Sequence, residues 1–224
     1  MSTFRLNIAH IRGCPPPQQV SKAMESFGLP NSEEFGVLNC RATEQAVFAT
    51  IIRRTNQAIQ RLDASAGEVT SEAVEKVTAY PFAIRPSAEV VEIYEGPASA
   101  IEQVGVFMSG CLALPTVVEA IEIDIPSAIE KLTTRTSKFQ LRTIRVSDYA
   151  HNSYMSGPYS PKFLDTQHGK DFMDEYAEYV QSASVRFQGP TSRATAKLSS
   201  KACFSYSCNE DDQPEVQAIL RGLV

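Results

Sequence analysis

No run of about eighteen apolar residues occurs anywhere in the sequence, so no segment has the length and apolarity of a membrane-spanning helix. The opening "MSTFRLNIAH" lacks the basic, then apolar, then small-residue layout of a secretory leader. The five cysteines (Cys14, Cys40, Cys111, Cys203 and Cys208) are odd in number and widely scattered, which suits free thiols in a reducing compartment. A cytoplasmic protein is therefore expected. Neither a Gly-x-Gly-x-x-Gly nor a Walker sequence is present, which removes the common nucleotide-binding turns. A nucleophile elbow of the G-x-S-x-G type and a papain-like cysteine context are likewise missing.

What is present is an ordinary globular composition, 43% hydrophobic and 21% charged, on a chain of 224 residues. That length makes one large domain or two small ones, and a division into 1–80 and 81–224 is the natural cut. The net charge is −5, unevenly spread. Residues 1–124 carry nine Lys/Arg against fifteen Asp/Glu, whereas 125–205 carry eleven against seven. A basic stretch of this kind points to an anionic partner.

Along the chain, "TFRLNIAHI" alternates as a half-buried strand does. "CPPPQQVSKAMESFGLP" predicts a helix opened by its prolines, with Val20, Ala23, Met24 and Phe27 on one face and Gly28 at its end. "EFGVLNC" and "AVFATIIRR" read as a hairpin across "RATEQ". The second strand's β-branched content favours β structure, although Val47, Ile51, Ala58 and Leu62 also suit a helix running through "NQAIQRLD". "ASAGEVTSEAVEKV", the least apolar stretch of the first half, reads as a mobile loop holding a short helix.

Two related segments follow. "EIYEGPASAIEQ" at 92–103 and "EIDIPSAIEK" at 122–131 each join a strand end, a proline and Ser-Ala-Ile-Glu, with the proline placed as the first helical residue. Strands near 89–95, 117–125 and 138–147 are thus linked by two helices into a β-α-β-α-β run. "SASVRFQG" and "SRATAKLSSKACFSYSC" are strand-like, and "QPEVQAILRGL" closes the chain as a helix started by Asp212 and Pro214. The expected class is α+β, a mixed or antiparallel sheet covered by helices.

Chemistry is sparse. His10 and Cys14 lie close in sequence, but the plainer reading makes them strand and helix-start residues. Cys203 and Cys208 are five apart and His151 and His168 seventeen, with no second pair to complete a zinc site. Glu122 and Asp124 share one face of an expected strand, as a metal-dependent hydrolase would need, though a solvated strand face looks the same. No cofactor or metal is expected, and a non-enzymatic role is favoured.

Nucleic-acid binding draws on more residues. In "SRATAKLSSKA", Arg193, Lys197 and Lys201 alternate with small and apolar residues, and "KFQLR" sets Lys138 and Arg142 opposite Phe139 and Leu141, with Arg145 nearby. As neighbours, these strands would make a basic face without carboxylates, of the kind that contacts phosphates. An ordinary solvated face is the alternative. Between the strands, "HNSYMSGPYSPKFLDTQHGKD" at 151–171 offers Tyr154, Tyr159, Phe163, Lys162 and Lys170 on a Gly/Pro-rich loop suited to gripping or stacking on a strand.

Element order across roughly the first two-thirds, from "FRLNIAHI" through "AEVVEIYEGPASAIEQVGVFMSGCLALP", resembles the recombination-associated RdgC family. The resemblance implies sequence-independent binding of duplex DNA by ring-shaped dimers that restrain recombinase loading. It carries no residue across, and the chain is shorter than that family and lacks its lysine-rich helical insertion. The expected function is therefore non-catalytic, sequence-independent DNA binding. A protein–protein assembly module is the main rival, and a homodimer is expected because an open sheet leaves edges to cover.

Overall fold

The computed structural model describes residues 1–27, 34–63, 65, 67–112, 115–152 and 154–224, with backbone alone at 63, 151 and 152. Gly28, the expected helix stop, and the His151 side chain lie outside the described residues. The chain is α+β, with eleven strands and five helices among the described residues. It groups into two compact units that interleave in sequence. One comprises 1–10, 94–101 and 119–224, the other 11–93 and 102–118. No helix among the described residues is long and apolar enough to cross a membrane.

The first unit is built on β1 (Ser2–Arg12, whose last two residues belong to the second unit), β7 (Gln140–Asn152), β8 (Met155–Tyr159), β9 (Val180–Gln188), β10 (Arg193–Ser199) and β11 (Cys203–Cys208). Antiparallel ladders join them in the order β1-β11-β10-β9-β7-β8. Period-2 burial divides the sheet into two faces. Ala194, Ala196 and Leu198 are buried, as are Phe204, Tyr206 and Cys208 on the neighbouring strand, while the residues between them are partly or fully exposed.

Helices cover the apolar face. α3 (Ile125–Arg135) packs on β9, α4 (Thr166–Glu175) on β7 and α5 (Gln213–Arg221) on β11. α3 starts because the Asp124 carboxylate accepts the Ser127 N–H at 2.9 Å and Pro126 sits in the first turn, where its missing N–H costs nothing. Ile125, Ala128, Ile129 and Leu132 then form its buried stripe. In α4, Asp165 accepts the Gln167 N–H at 2.9 Å. A Cβ added at Gly169 would meet the Leu141 side chain at 3.0 Å, so this glycine sets how closely α4 approaches β7.

Asp212 does not cap α5 in the way its position implies. Its buried carboxylate turns back to accept from the Thr191 N–H at 2.9 Å, the Ser192 N–H at 3.0 Å and the Ser192 hydroxyl at 2.8 Å. Burial pushes this carboxyl up, but the bonds from Ser192 and Thr191 outweigh it and hold the group below its usual range. A depressed folded value gives stability that is present above the unfolded value near pH 4 and is lost as pH falls through the folded one. Asp212→Asn is expected to lower Tm by roughly 5 °C at neutral pH. The gap to the wild type should narrow on acidification below about pH 4. Thermal melts followed by circular dichroism check this, and a gap that stays constant through that range would count against the clamp.

The second unit holds β2 (Phe35–Ala42), β3 (Val47–Asp63), β4 (Glu68–Arg85) and most of β5 (Val90–Tyr94), paired antiparallel in that order. α1 (Pro17–Glu25) packs on β2 and β3 through Val20 and Met24, and α2 (Ala100–Cys111) contributes Val104, Phe107 and Met108 to its core. β6 (Val117–Ala120) completes the strands. Gly13, at φ +70°, brings its Cα so close to the chain that a Cβ would lie 2.8 Å from the Pro115 carbonyl oxygen.

β3 runs on as strand through "NQAIQRLD", and the expected loop after it is strand β4 instead. The β3–β4 register runs from Val47↔Ile84 to Asp63↔Glu68, and from Thr55↔Lys76 outward the pair continues as a two-stranded ribbon. Beyond Arg54 and Val77 its side chains are exposed or half-exposed on both faces, and Leu62 and Val69 are 70% and 63% exposed. Cross-strand bonding rather than burial sustains it, which is why the sequence shows no apolar periodicity there. The β-α-β-α-β order is present as β5-α2-β6-α3-β7, but β5 pairs with β4, and β7 with β8 and β9. β6 stops at Ala120, so Glu122 and Asp124 are not on a strand. Pro126 begins its helix as expected, while Pro97 lies in a turn ahead of α2, its carbonyl accepting the Ala100 N–H.

Candidate nucleic-acid interface

The helix-free face of the first unit's sheet carries the polar residues. Directly opposed residues on adjacent strands share a face. Arg5 lies opposite Ser205, Ser205 opposite Lys197, Lys197 opposite Ser184 and Ser184 opposite Thr143, which bridges to Lys162. One row of cations and hydroxyls thus crosses five strands and the 162 bridge. A parallel row runs from Thr3 through Ser207, Thr195 and Arg186 to Gln140. On the other side, Ser199, Ser182 and Arg145 are aligned. With strands about 4.8 Å apart, Arg5 and Lys197 are roughly 10 Å apart and Lys197 and Lys162 roughly 14 Å.

These three rows contain no carboxylate. Among the described residues, no acid lies within ion-pair distance of Arg5, Arg145, Lys162, Arg186, Arg193 or Lys197. The arginine–carboxylate pairs Arg53–Glu34, Arg54–Glu75, Arg61–Glu72 and Arg85–Glu92 belong to the second unit. The face is therefore a positive surface whose neutralising charge must come from solution or from a ligand.

Two concavities mark it. A cavity of about 360 Å³ is floored by Thr143, Arg145, Ser182, Ser184 and Lys197 and walled by Pro158, Tyr159 and Ser160. A second, of about 220 Å³, shares Lys197 and is lined by Arg5, Asn7, Ser205 and the Gly96–Ala98 turn. Asn7 is 3% exposed, and its side-chain amide donates to the Gly96 carbonyl oxygen at 3.0 Å, which holds that turn in place.

The sequence candidates distribute unevenly over this frame. Lys197, Arg145 and Lys162 lie in the rows, and Arg193 sits at the end of β10 opposite Gln188. Lys201 is in the turn after β10 and Lys138 in the bend before β7, at φ +51°. Arg142 is the extra residue of a bulge between Leu141 and Thr143, so the alternation counted through it shifts by one. Lys170 belongs to α4 on the helix-covered side, beside Ser127, Glu130 and Asp174, and is not part of the face.

The 151–171 stretch is not one loop. It comprises the end of β7, strand β8, the Lys162 bridge and the start of α4. Tyr154, at the hairpin tip, is 94% exposed. Tyr159 packs 4.4 Å from the Tyr149 ring, and Phe163 and Phe172 join the same aromatic cluster. That cluster seats α4, so Tyr159 serves packing and cavity wall together.

Arg5, Arg186 and the serines of β9 and β11 were not singled out from sequence. Alternation in "TFRLN" and "SVRFQ" places each arginine opposite apolar neighbours, which is the available signal, but only the ladders make the strands adjacent. Burial pushes the Cys14 thiol up to about 11. The Asp124 carboxylate is occupied as a helix cap, and His168 pairs with exposed Asp165 at 3.1 Å. Among the described residues no three His, Cys, Asp or Glu side chains gather as metal ligands. The sequence matches no model of a known family and no characterised protein.

Proposed function

We propose that this protein binds nucleic acid without sequence preference and without catalysis, through the outer face of the β1-β11-β10-β9-β7 sheet. The observation that carries this reading is three carboxylate-free rows on one sheet face whose cations and hydroxyls alternate, with at least four cations lacking an acidic partner among the described residues. A small anion needs one cluster of charge, whereas cations spaced over 10 Å and more suit a repeating phosphate chain. Serine and threonine hydroxyls contact phosphate and sugar but carry little base information, which accounts for the lack of sequence preference. Five free thiols are consistent with a cytoplasmic setting for this activity.

Fluorescence anisotropy with labelled single- and double-stranded DNA, repeated across salt concentrations, tests the reading. Binding is expected at low salt, and log K should fall against log salt with a slope of about −3 for a single strand if four or five phosphates are neutralised. No binding of either form at low salt would overturn it.

A further inference from the structure

We infer that the bound nucleic acid is a single strand laid across the β-strands, with one nucleotide seated in the cavity between Arg145, Lys197 and the Pro158–Ser160 wall. This rests on the nucleic-acid reading and adds what kind of strand is bound and where. A volume of about 360 Å³ lies in the range of small-molecule sites and accommodates a nucleotide unit. A stacked and paired duplex has no base to place there. Its rigid cylinder would rest on the raised 158–160 wall and leave the serine floor unfilled.

The chemistry of the cavity matches a nucleotide group by group. Arg145 and Lys197 stand on β7 and β10, to either side of Ser182 and Ser184 on β9. The two cations therefore bracket the cavity, one for the phosphate on each side of a single sugar. The serine and threonine hydroxyls of the floor meet sugar and base edges, and Pro158 with the Tyr159 ring gives the base an apolar wall. The second cavity continues the path, since it shares Lys197 and ends at Arg5. From Lys162 to Arg5 the row crosses five strand spacings, roughly 24 Å. That length takes about four nucleotides of an extended strand, a site size typical of small single-strand modules.

The test compares fluorescein-labelled oligo(dT) of twelve residues with a twelve-base-pair duplex on the full chain at low salt. The wild type should bind the single strand at least about tenfold more tightly than the duplex, and thymidine 3′,5′-bisphosphate should displace it at millimolar concentration. Ser184→Phe fills the cavity without changing charge and should lower single-strand affinity about tenfold while leaving duplex affinity within about twofold. Val69→Phe, at an exposed position on the β3–β4 ribbon outside both cavities, should leave single-strand affinity unaltered. A wild-type protein that binds duplex as tightly as single strand would overturn this inference and leave the nucleic-acid reading standing. So would a folded Ser184→Phe protein with undiminished single-strand affinity. Failure to bind either form would remove both.

Discussion

Replacing Arg145 and Lys197 together by glutamate is expected to lower affinity for labelled oligonucleotide at least about 100-fold at low salt, and to flatten the salt dependence by about one unit of slope per lost contact. The size follows from position. Both residues stand on the carboxylate-free face, beside the same cavity, and neither has an acidic partner among the described residues. On the proposed reading, two phosphate contacts become two repulsions in a concave site, where solvent screens less than on a convex surface. The matched control is Lys138→Glu with Lys170→Glu. It makes the same change in net charge away from the rows and should cost less than about fivefold through the general field. Equal losses in the two double variants would mean that binding follows net charge alone, and the sheet face would lose its role. Neither pair is buried, so both proteins should melt within a few degrees of the wild type.

The second large effect is on the fold. Phe187→Ala should destabilise the protein by about 3–5 kcal/mol, seen as a lower urea midpoint and a Tm lower by roughly 10 °C. Phe187 is 0% exposed and lies on β9, which is paired on both sides and sits opposite Ala194. The alanine at the neighbouring position is too small to close the space a lost ring leaves, so the transfer loss adds to a cavity loss. Val77→Ala, 54% exposed on the ribbon, removes apolar surface that water already reaches and should cost less than about 0.5 kcal/mol. A loss below 1 kcal/mol for Phe187→Ala would show that β9 is not the centre of this core.

These sites were legible to different degrees. "SRATAKLSS" and "CFSYSC" give period-2 patterns that a half-buried strand imposes, and the hairpin they form follows directly. Lys197 could be placed on an exposed face from that pattern alone. Arg5 could not be placed beside it, because β1 reaches β11 across some two hundred residues and no local signal encodes that ladder. Arg142 was misplaced because a bulge inserts one residue without a glycine or proline to mark it. The ribbon strand β4 escaped for the opposite reason. With both faces in water it has no apolar rhythm, and its Glu, Ser and Ala content reads as loop. Tyr159 and Phe163 were legible as aromatics on a connection, but their packing with Tyr149 and Phe172 depends on where α4 lies.

The ribbon has a further consequence. From Thr55↔Lys76 to Asp63↔Glu68, nine backbone pairs are held by one neighbour each, with no third strand beside them among the described residues. An isolated hairpin in water is marginal, so this arm, about 30 Å long, opens by local fluctuation at a free energy near zero, while the amides of β9 exchange only when the core unfolds. The fold thus spends almost none of its stability on the arm. On contact with another surface, the arm itself would gain order and lose its chain entropy at that moment.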